Sequence, residues 1–188
     1  MSTLAVLAAC GQSENSRLYM LSPIAQVEPL DTTNDRLSVG VGPVTMPQYL
    51  DRPQMVVRQS PNRLEVSEFD RWAEPLSTTV PRVVAANLAH LLDTERVYVL
   101  PQLRRRSRDF DVALDISQFE PSAVGPASLV VRWEIFADDD GPPVDEGKIV
   151  AEQGSAAAGD YEAMAASLSA LLAELSEVLA KRIKALQG

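Results

Sequence analysis

The stretch FDVALDI, residues 110–116, decides the fold class because its side chains alternate strictly in polarity. Phe110, Val112, Leu114 and Ile116 fall on one side, with two aspartates and an alanine between them. Successive side chains of a strand point to opposite faces, so this pattern is typical of a half-buried β-strand. We therefore expect a sheet that buries one face in the core.

Similar strand patterns lie on both sides of this stretch. ASLVVRWEIFA at 127–137 alternates in polarity, and the turn-forming DDDGPP at 138–143 leads to a returning strand at 148–154. The short run at 96–100 is typical of a buried strand. Residues 110–154 are therefore predicted to contain three strands.

The first half of the chain also contains strand signals. RLYMLS at 17–22 is a short strand candidate, and LSVGVG at 37–42 alternates as a half-buried strand that ends at Pro43 or Pro47. The turn Pro61-Asn62 separates two further apolar runs, and this arrangement predicts a hairpin of residues 55–60 and 63–67.

Two segments have the apolar periodicity of helices. In residues 75–92 the apolar side chains recur at helical spacing, although Pro81 predicts either a kink or a late start. Residues 160–186 place one apolar stripe along a long helix, for which Asp160 is a suitable N-cap. The predicted fold class is α/β: a single domain with a mixed β-sheet and two main helices.

Composition restricts the function of the chain. Its 188 residues are 46% hydrophobic and 23% charged, which is enough for one domain with a buried core. The net charge of −9 opposes binding to phosphate backbones, so we expect no nucleic-acid partner. No uninterrupted apolar run approaches the roughly 20 residues of a spanning helix. Any membrane attachment is therefore expected to be an anchor.

The first ten residues, MSTLAVLAAC, contain such an anchor signal. Leu7-Ala8-Ala9-Cys10 resembles the lipobox of bacterial lipoproteins, in which the cysteine is acylated and the residues before it are removed. We expect residues 1–9 to be a lipoprotein signal, short or truncated, and 10–16 to be the acylated cysteine with a polar tether. The domain then occupies 17–188. The alternative is a free thiol in an alanine-rich N-terminus, since no Lys or Arg precedes the apolar stretch.

Several stretches resemble one known family, the ABC-type transport auxiliary lipoproteins. The most specific is PQYLDRP at 47–53, which is similar to the family's P-x-Y-L-x-R-P segment. SEFDRWAEPL at 67–76 resembles its tryptophan-containing lead into the first helix, and YML at 19–21 and YEAM at 161–164 also fit. The resemblance implies an anticodon-binding-domain-like fold.

The resemblance also implies a function. Its members are periplasmic lipoproteins that work beside a permease and an ATPase, or beside a needle of lipid-transport domains, and that form homo-oligomeric rings. The implied role is a docking platform for lipid transport between membranes and for outer-membrane integrity, without enzymatic activity. Gly11 after the cysteine is compatible with sorting to the outer membrane. The alternative function is a periplasmic carrier that holds a lipid in an apolar groove between helix and sheet.

Tyr49 and Arg52 are the candidate partner-binding residues. Tyr and Arg are enriched at the energetic centres of interfaces, so exposed side chains at these positions are expected to touch a transporter subunit. The alternative is that their segment is a rigid connection between strands, with Asp51 capping a tight turn. Trp72 is expected to fill the gap between helix and sheet.

No catalytic, metal or cofactor site is expected. His90 is the single histidine and lies in an apolar helical segment, which favours a packed side chain. Glu68 and Asp70 form a carboxylate pair with nothing to set their separation or pKa. The acidic residues at 138–146 do not have EF-hand spacing, which favours an acidic turn over a calcium site.

One basic cluster, RRRSR, occupies residues 104–108. The first interpretation is a solvated loop between two strands. The second is contact with anionic lipid headgroups or an acidic partner, which would weaken with salt.

Overall fold

The computed structural model describes residues 15–24, 37–101, 108–137, 141–154 and 156–188. Within these residues the chain forms eight strands and two helices. In chain order they are β1 (Arg17–Tyr19), β2 (Val39–Thr45), β3 (Gln54–Ser60), β4 (Arg63–Trp72), α1 (Leu76–Leu92), β5 (Val97–Val99), β6 (Phe110–Glu120), β7 (Ala127–Phe136), β8 (Asp145–Gln153) and α2 (Tyr161–Leu186).

The main sheet has five strands in the order β5-β2-β6-β7-β8. β2 is parallel to both β5 and β6, whereas β6, β7 and β8 form an antiparallel meander. Val112, Leu114 and Ile116 of β6 are 2% exposed or less, so the alternation of FDVALDI marks the core face of this strand as predicted. The neighbouring Asp115 lies on the opposite, solvent-facing side.

Both helices cover the same face of this sheet. α1 packs over β2 and β5, α2 packs over β7 and β8, and the two helices contact each other. By length and composition α2 could span a membrane, with a mean hydropathy of 1.5 over its most apolar 18 residues. Half of that window is buried in the domain, and Leu171, Leu172 and Leu175 are fully enclosed. α2 is therefore the central core helix of this fold.

A second sheet of three strands has the order β1-β4-β3. β1 runs parallel to β4, and β3 and β4 form the predicted hairpin. The two sheets meet at Arg58 of β3, whose backbone N–H donates to the carbonyl of Pro121 at 2.9 Å and whose carbonyl accepts from Ala123 at 2.9 Å. The single-domain α/β class with mixed sheets and two helices is confirmed, with the strands divided between two sheets.

β2 differs from its prediction in burial, whereas its end at Thr45, just before Pro47, agrees with one of the two predicted ends. Val39 and Val41 face the helices, but Gly40 and Gly42 on the opposite side are buried as well. A β-carbon on Gly40 would lie 2.2 Å from Asp111 Oδ1, because side chains from beyond the strand cover it. The strand also continues past Pro43 to Thr45, and its pairing shifts register there.

The predicted helices are present, and of the two alternatives at Pro81, a kink or a late start, the late start is not observed. α1 begins at Leu76 and runs through the buried Pro81, which removes a single backbone hydrogen bond from a helix held by extensive packing. α2 starts as predicted: the Asp160 carboxylate accepts from the backbone N–H of Ala163 at 3.0 Å.

Gly147 on the edge strand β8 is required by the neighbouring Trp133. A β-carbon at this position would lie 2.6 Å from Trp133 Cζ2, and the indole cannot retreat easily because Arg182 lies over its ring at 5.7 Å. Gly147→Ala is therefore expected to lower the free energy of unfolding by about 1–3 kcal/mol. Urea denaturation followed by circular dichroism measures this loss.

Gly125→Ala is the matched control for this substitution. The nearest atom to its β-carbon would be Ser122 Oγ at 3.7 Å, an ordinary contact, so stability should change little or rise by up to about 1 kcal/mol. Equal effects of the two substitutions would contradict the packing argument.

Candidate functional site

The segment PQYLDRP, residues 47–53, forms a joint between several elements. Leu50 is 2% exposed in the core. Asp51 accepts a hydrogen bond from the backbone N–H of Ser77 at 3.2 Å, so it caps the start of α1, whose own N-cap residue supplies no side-chain bond. Arg52 Nε donates to Gln54 Oε1 at 3.3 Å. Asp51 thus caps a helix and not the tight turn that the sequence indicated.

A buried carboxylate lies behind Tyr49. The Tyr49 hydroxyl donates to Glu120 Oε2 at 2.9 Å, and Arg58 Nη2 lies 2.6 Å from Glu120 Oε1. Burial and the adjacent charge of Glu120 raise the pKa of Tyr49 to about 12, so the phenol keeps its proton and remains a donor at neutral pH. Glu120 is 1% exposed, and this pairing connects the small sheet to the main sheet.

The structure therefore places both predicted partner-binding residues in half-buried positions. Tyr49 and Arg52 each retain some exposed surface, and each makes a hydrogen bond within the domain. These contacts favour a rigid connection as the local role of the segment. A contact between this surface and a partner stays a prediction.

The N-terminal strand β1 is held by a second buried carboxylate, Asp70. Arg17 donates to Asp70 from Nε at 2.7 Å and from Nη2 at 3.0 Å, Tyr19 donates from its hydroxyl at 3.0 Å, and Ser67 donates from Oγ at 2.8 Å. Asp70 is 2% exposed. The hydrogen bonds from Arg17 lower the pKa of the Asp70 carboxyl, although burial acts in the opposite direction.

The chain after β1 is fixed at three further points. Leu21 is 4% exposed in the core, and the backbone N–H of Ser22 donates to Ser169 Oγ of α2 at 3.0 Å. The N–H of Ile24 donates to Asn87 Oδ1 of α1 at 2.8 Å. Asn87 is itself 1% exposed and donates to Ser176 Oγ of α2 at 3.2 Å. Residues 17–24 are thus bound to β4 and to both helices.

This segment and α2 enclose an apolar groove of about 660 Å³, within the roughly 300–1,000 Å³ typical of small-molecule sites. Its large apolar side chains are unusually open to solvent: Leu18 is 67% exposed, Met20 59% and Ile24 42%. The opposite wall is formed by small residues of α2, which are Ala165, Ala166, Ser169, Ala170 and Ala173. Glu162 is the one charged residue that lines the groove within the described chain.

The arrangement supports noncovalent binding, and among the described residues the predicted carboxylate pair does not converge. Glu68 is exposed whereas Asp70 is buried and saturated with donors, so this carboxylate pair does not face a common substrate position. His90 is exposed, and the expectation of a packed side chain is wrong. It falls on the solvent-facing stripe of α1 with Arg82 and Ala86, at intervals of one helical turn.

Some of the other predicted features lie within the described residues, and some lie outside them. Trp72 is 6% exposed within the core, which confirms its predicted packing role. Cys10, residues 104–107 of the basic cluster and residues 138–140 of the acidic turn lie outside the described residues. Arg108 at the end of the cluster pairs with Asp111 at 2.5 Å, and Asp145 after the turn pairs with Arg182 at 2.6 Å.

The sequence did not predict the position of the groove or the role of Asp70. RLYMLS is apolar on both of its alternating faces. Leu21 supplies the core side, and Leu18 and Met20 supply the exposed side. The apolar residues Leu18 and Met20, on the face opposite the core, are the sequence feature that could have indicated a binding site beside this strand.

Comparisons with known proteins give a family and a fold. The family model described as "ABC-type transport auxiliary lipoprotein component" matches residues 19–180. The structure is similar to that of an uncharacterized protein, with a TM-score of 0.69 and 19% identity, over 90% of this chain and 99% of the other. No curated protein matches the sequence significantly.

Two further solved structures are similar at lower scores. A protein of Xanthomonas campestris, assigned to the DUF330 family, has a TM-score of 0.65 and 18% identity over 87% of this chain and 92% of the other. A PelC dodecamer subunit of Paraburkholderia phytofirmans has a TM-score of 0.45 and 14% identity over 78% and 88% of the two chains. At 18% identity, the similarity to the Xanthomonas campestris protein shows a shared fold.

The Asp70 cluster makes the attachment of β1 dependent on pH. Asp70→Asn removes the charge that Arg17 and Tyr19 share, so we expect a loss of about 1.5–3 kcal/mol in unfolding free energy at neutral pH. Because the folded-state pKa is below the unfolded value of 3.8, the stabilisation is complete above that value and is lost as the pH falls through the folded-state pKa.

The difference between wild type and Asp70→Asn should therefore shrink on acidification below the usual aspartate range. Denaturant titrations at a series of pH values measure it. Glu65→Gln, at an exposed position on the same strand, is the control and should change stability little. A difference that stays constant down to strongly acidic pH would contradict the assigned role of Asp70.

Proposed function

The chain belongs to the ABC-type transport auxiliary lipoprotein component family, and from this membership we propose that it is a non-enzymatic subunit anchored by acylated Cys10. The observation that carries the proposal is the extent of the family match, which spans residues 19–180 of 188. We place the protein at the periplasmic face of the bacterial envelope, on the outer membrane. Its partners are a permease and an ATPase, or a lipid-transport needle protein.

The proposed role is a docking platform for lipid transport between membranes and for outer-membrane integrity. A rigid domain supports this role, because a docking surface must keep its shape when a partner binds. The two sheets are joined by the cluster of Tyr49, Arg58 and Glu120, and Asp51 attaches the same segment to α1. Assembly of several copies into a homo-oligomeric ring is part of the same proposal.

We propose that the partially exposed surface around Tyr49 and Arg52 contacts a transporter subunit. Both side chains are held by hydrogen bonds, so little side-chain entropy remains to be lost on binding. The neighbouring Asp51 and Leu50 are committed to the helix cap and the core. Arg52 is therefore the residue on which a contact can be tested with least effect on folding.

A second candidate function is a lipid carrier, which the apolar groove favours. Its volume of about 660 Å³ and the exposure of Leu18 and Met20 suit an acyl chain. This function differs from the leading proposal in requiring one bound lipid for each protein copy.

Anchoring is tested by replacing the acylated residue. Cys10→Ala should move the protein from the membrane fraction to the soluble fraction, since each buried methylene of an acyl chain contributes about 0.8 kcal/mol to membrane binding. Fractionation of cells without detergent, followed by mass spectrometry of the N-terminal peptide, measures both location and acylation. A wild-type protein that is unacylated and soluble would overturn the anchor.

The docking surface is tested with Arg52→Ala in co-purification from membranes with the neighbouring transporter subunits. We expect recovery of the partner to fall about tenfold, as for a central interface arginine. Arg63→Ala, at the exposed tip of the β3–β4 hairpin, is the matched control and should leave recovery unchanged. Unchanged recovery with a folded Arg52→Ala protein would remove Arg52 from the interface.

A further inference from the structure

We propose that Leu18, Met20 and Ile24 form a membrane-contact patch that rests on the surface of the bilayer holding the anchor. This inference rests on the proposed acylation of Cys10 and assigns a second point of attachment within the folded domain. The partner is a zwitterionic lipid surface, which receives the three apolar side chains at the level of its headgroups.

The three side chains are exposed together and are held in place. They lie within seven residues of one another, with exposures of 67%, 59% and 42%. The intervening residues are fixed: Tyr19 to Asp70, Leu21 in the core and Ser22 to Ser169. Other exposed apolar side chains, such as Val124 and Val150, are scattered singly, which is normal for a protein surface. The patch is therefore a fixed feature of the domain and not a frayed end.

The distance to the anchor limits how far this patch can lie from the membrane. Seven peptide steps separate Cys10 from Arg17, and a fully extended chain covers at most about 3.6 Å per residue, or about 25 Å in total. Leu18 follows directly. Any lipid attached to Cys10 therefore keeps Arg17 within that distance of the bilayer surface, so the patch that begins at Leu18 can reach the bilayer, where apolar side chains gain by leaving water.

Charge selects the kind of lipid surface. The Arg17 guanidinium is bound to the buried Asp70, so the two charges compensate each other, and Glu162 is the one charged residue lining the groove within the described chain. An anionic surface would be repelled by the net charge of −9 and would find no basic cluster here. A zwitterionic surface avoids this repulsion, and its binding should depend little on salt.

The single cysteine allows a direct experiment on the full acylated chain. With Cys10 blocked by acylation, Leu18→Cys and Met20→Cys each introduce one thiol that accepts an environment-sensitive fluorophore. The labelled proteins are reconstituted into phosphatidylcholine vesicles that contain lipids with a quencher on the acyl chain. Val124→Cys and Val150→Cys, which are 82% and 68% exposed, are the matched controls.

We expect blue-shifted emission and at least threefold stronger quenching at positions 18 and 20 than at the controls, unchanged at high salt. Equal quenching at all four positions would overturn the patch. A blue shift without quenching would show that a protein surface, such as a second copy, covers these residues, and would overturn it too. Labelling of Cys10 itself, with protein that does not float with the vesicles, would instead refute the anchor on which the inference rests.

Discussion

A carboxylate that is only 2% exposed, such as that of Asp70, is tolerated in a protein only where donors surround it. Here two of the three donating side chains, Arg17 and Tyr19, come from β1, and the third is Ser67 of β4. Satisfying this buried charge therefore fixes the first strand of the domain. The groove and its exposed apolar wall take their positions from that attachment.

The local patterns of the sequence predicted the elements well, because periodicity reports which face of an element is buried. FDVALDI, the β3–β4 hairpin and the Asp160 cap are examples. What the patterns could not predict depends on residues distant in the chain. The junction of the two sheets depends on Arg58 meeting Glu120, and the burial of Gly40 depends on Asp111. The groove needs α2 beside the segment that follows β1, where Ser22 meets Ser169, 147 residues later.

The segment PQYLDRP shows why a family motif need not mark a binding residue in itself. Leu50 fills the core, Asp51 caps α1 and Tyr49 donates a hydrogen bond to the buried carboxylate of Glu120, so successive residues serve three different elements. A change at any one of them disturbs a different contact. Solved structures at 18% and 19% identity share this fold.

The parallel pairing of β1 with β4 has a mechanical consequence. Arg17, the first residue of the strand, is in register with Asp70, so the chain enters the domain at its ion pair. A pull on the chain before Arg17 along the strand direction loads the ion pair and the three paired residues together, in shear. The hydrophobic core bears load only after that pairing yields, so the small sheet shields it from forces applied at this end of the domain.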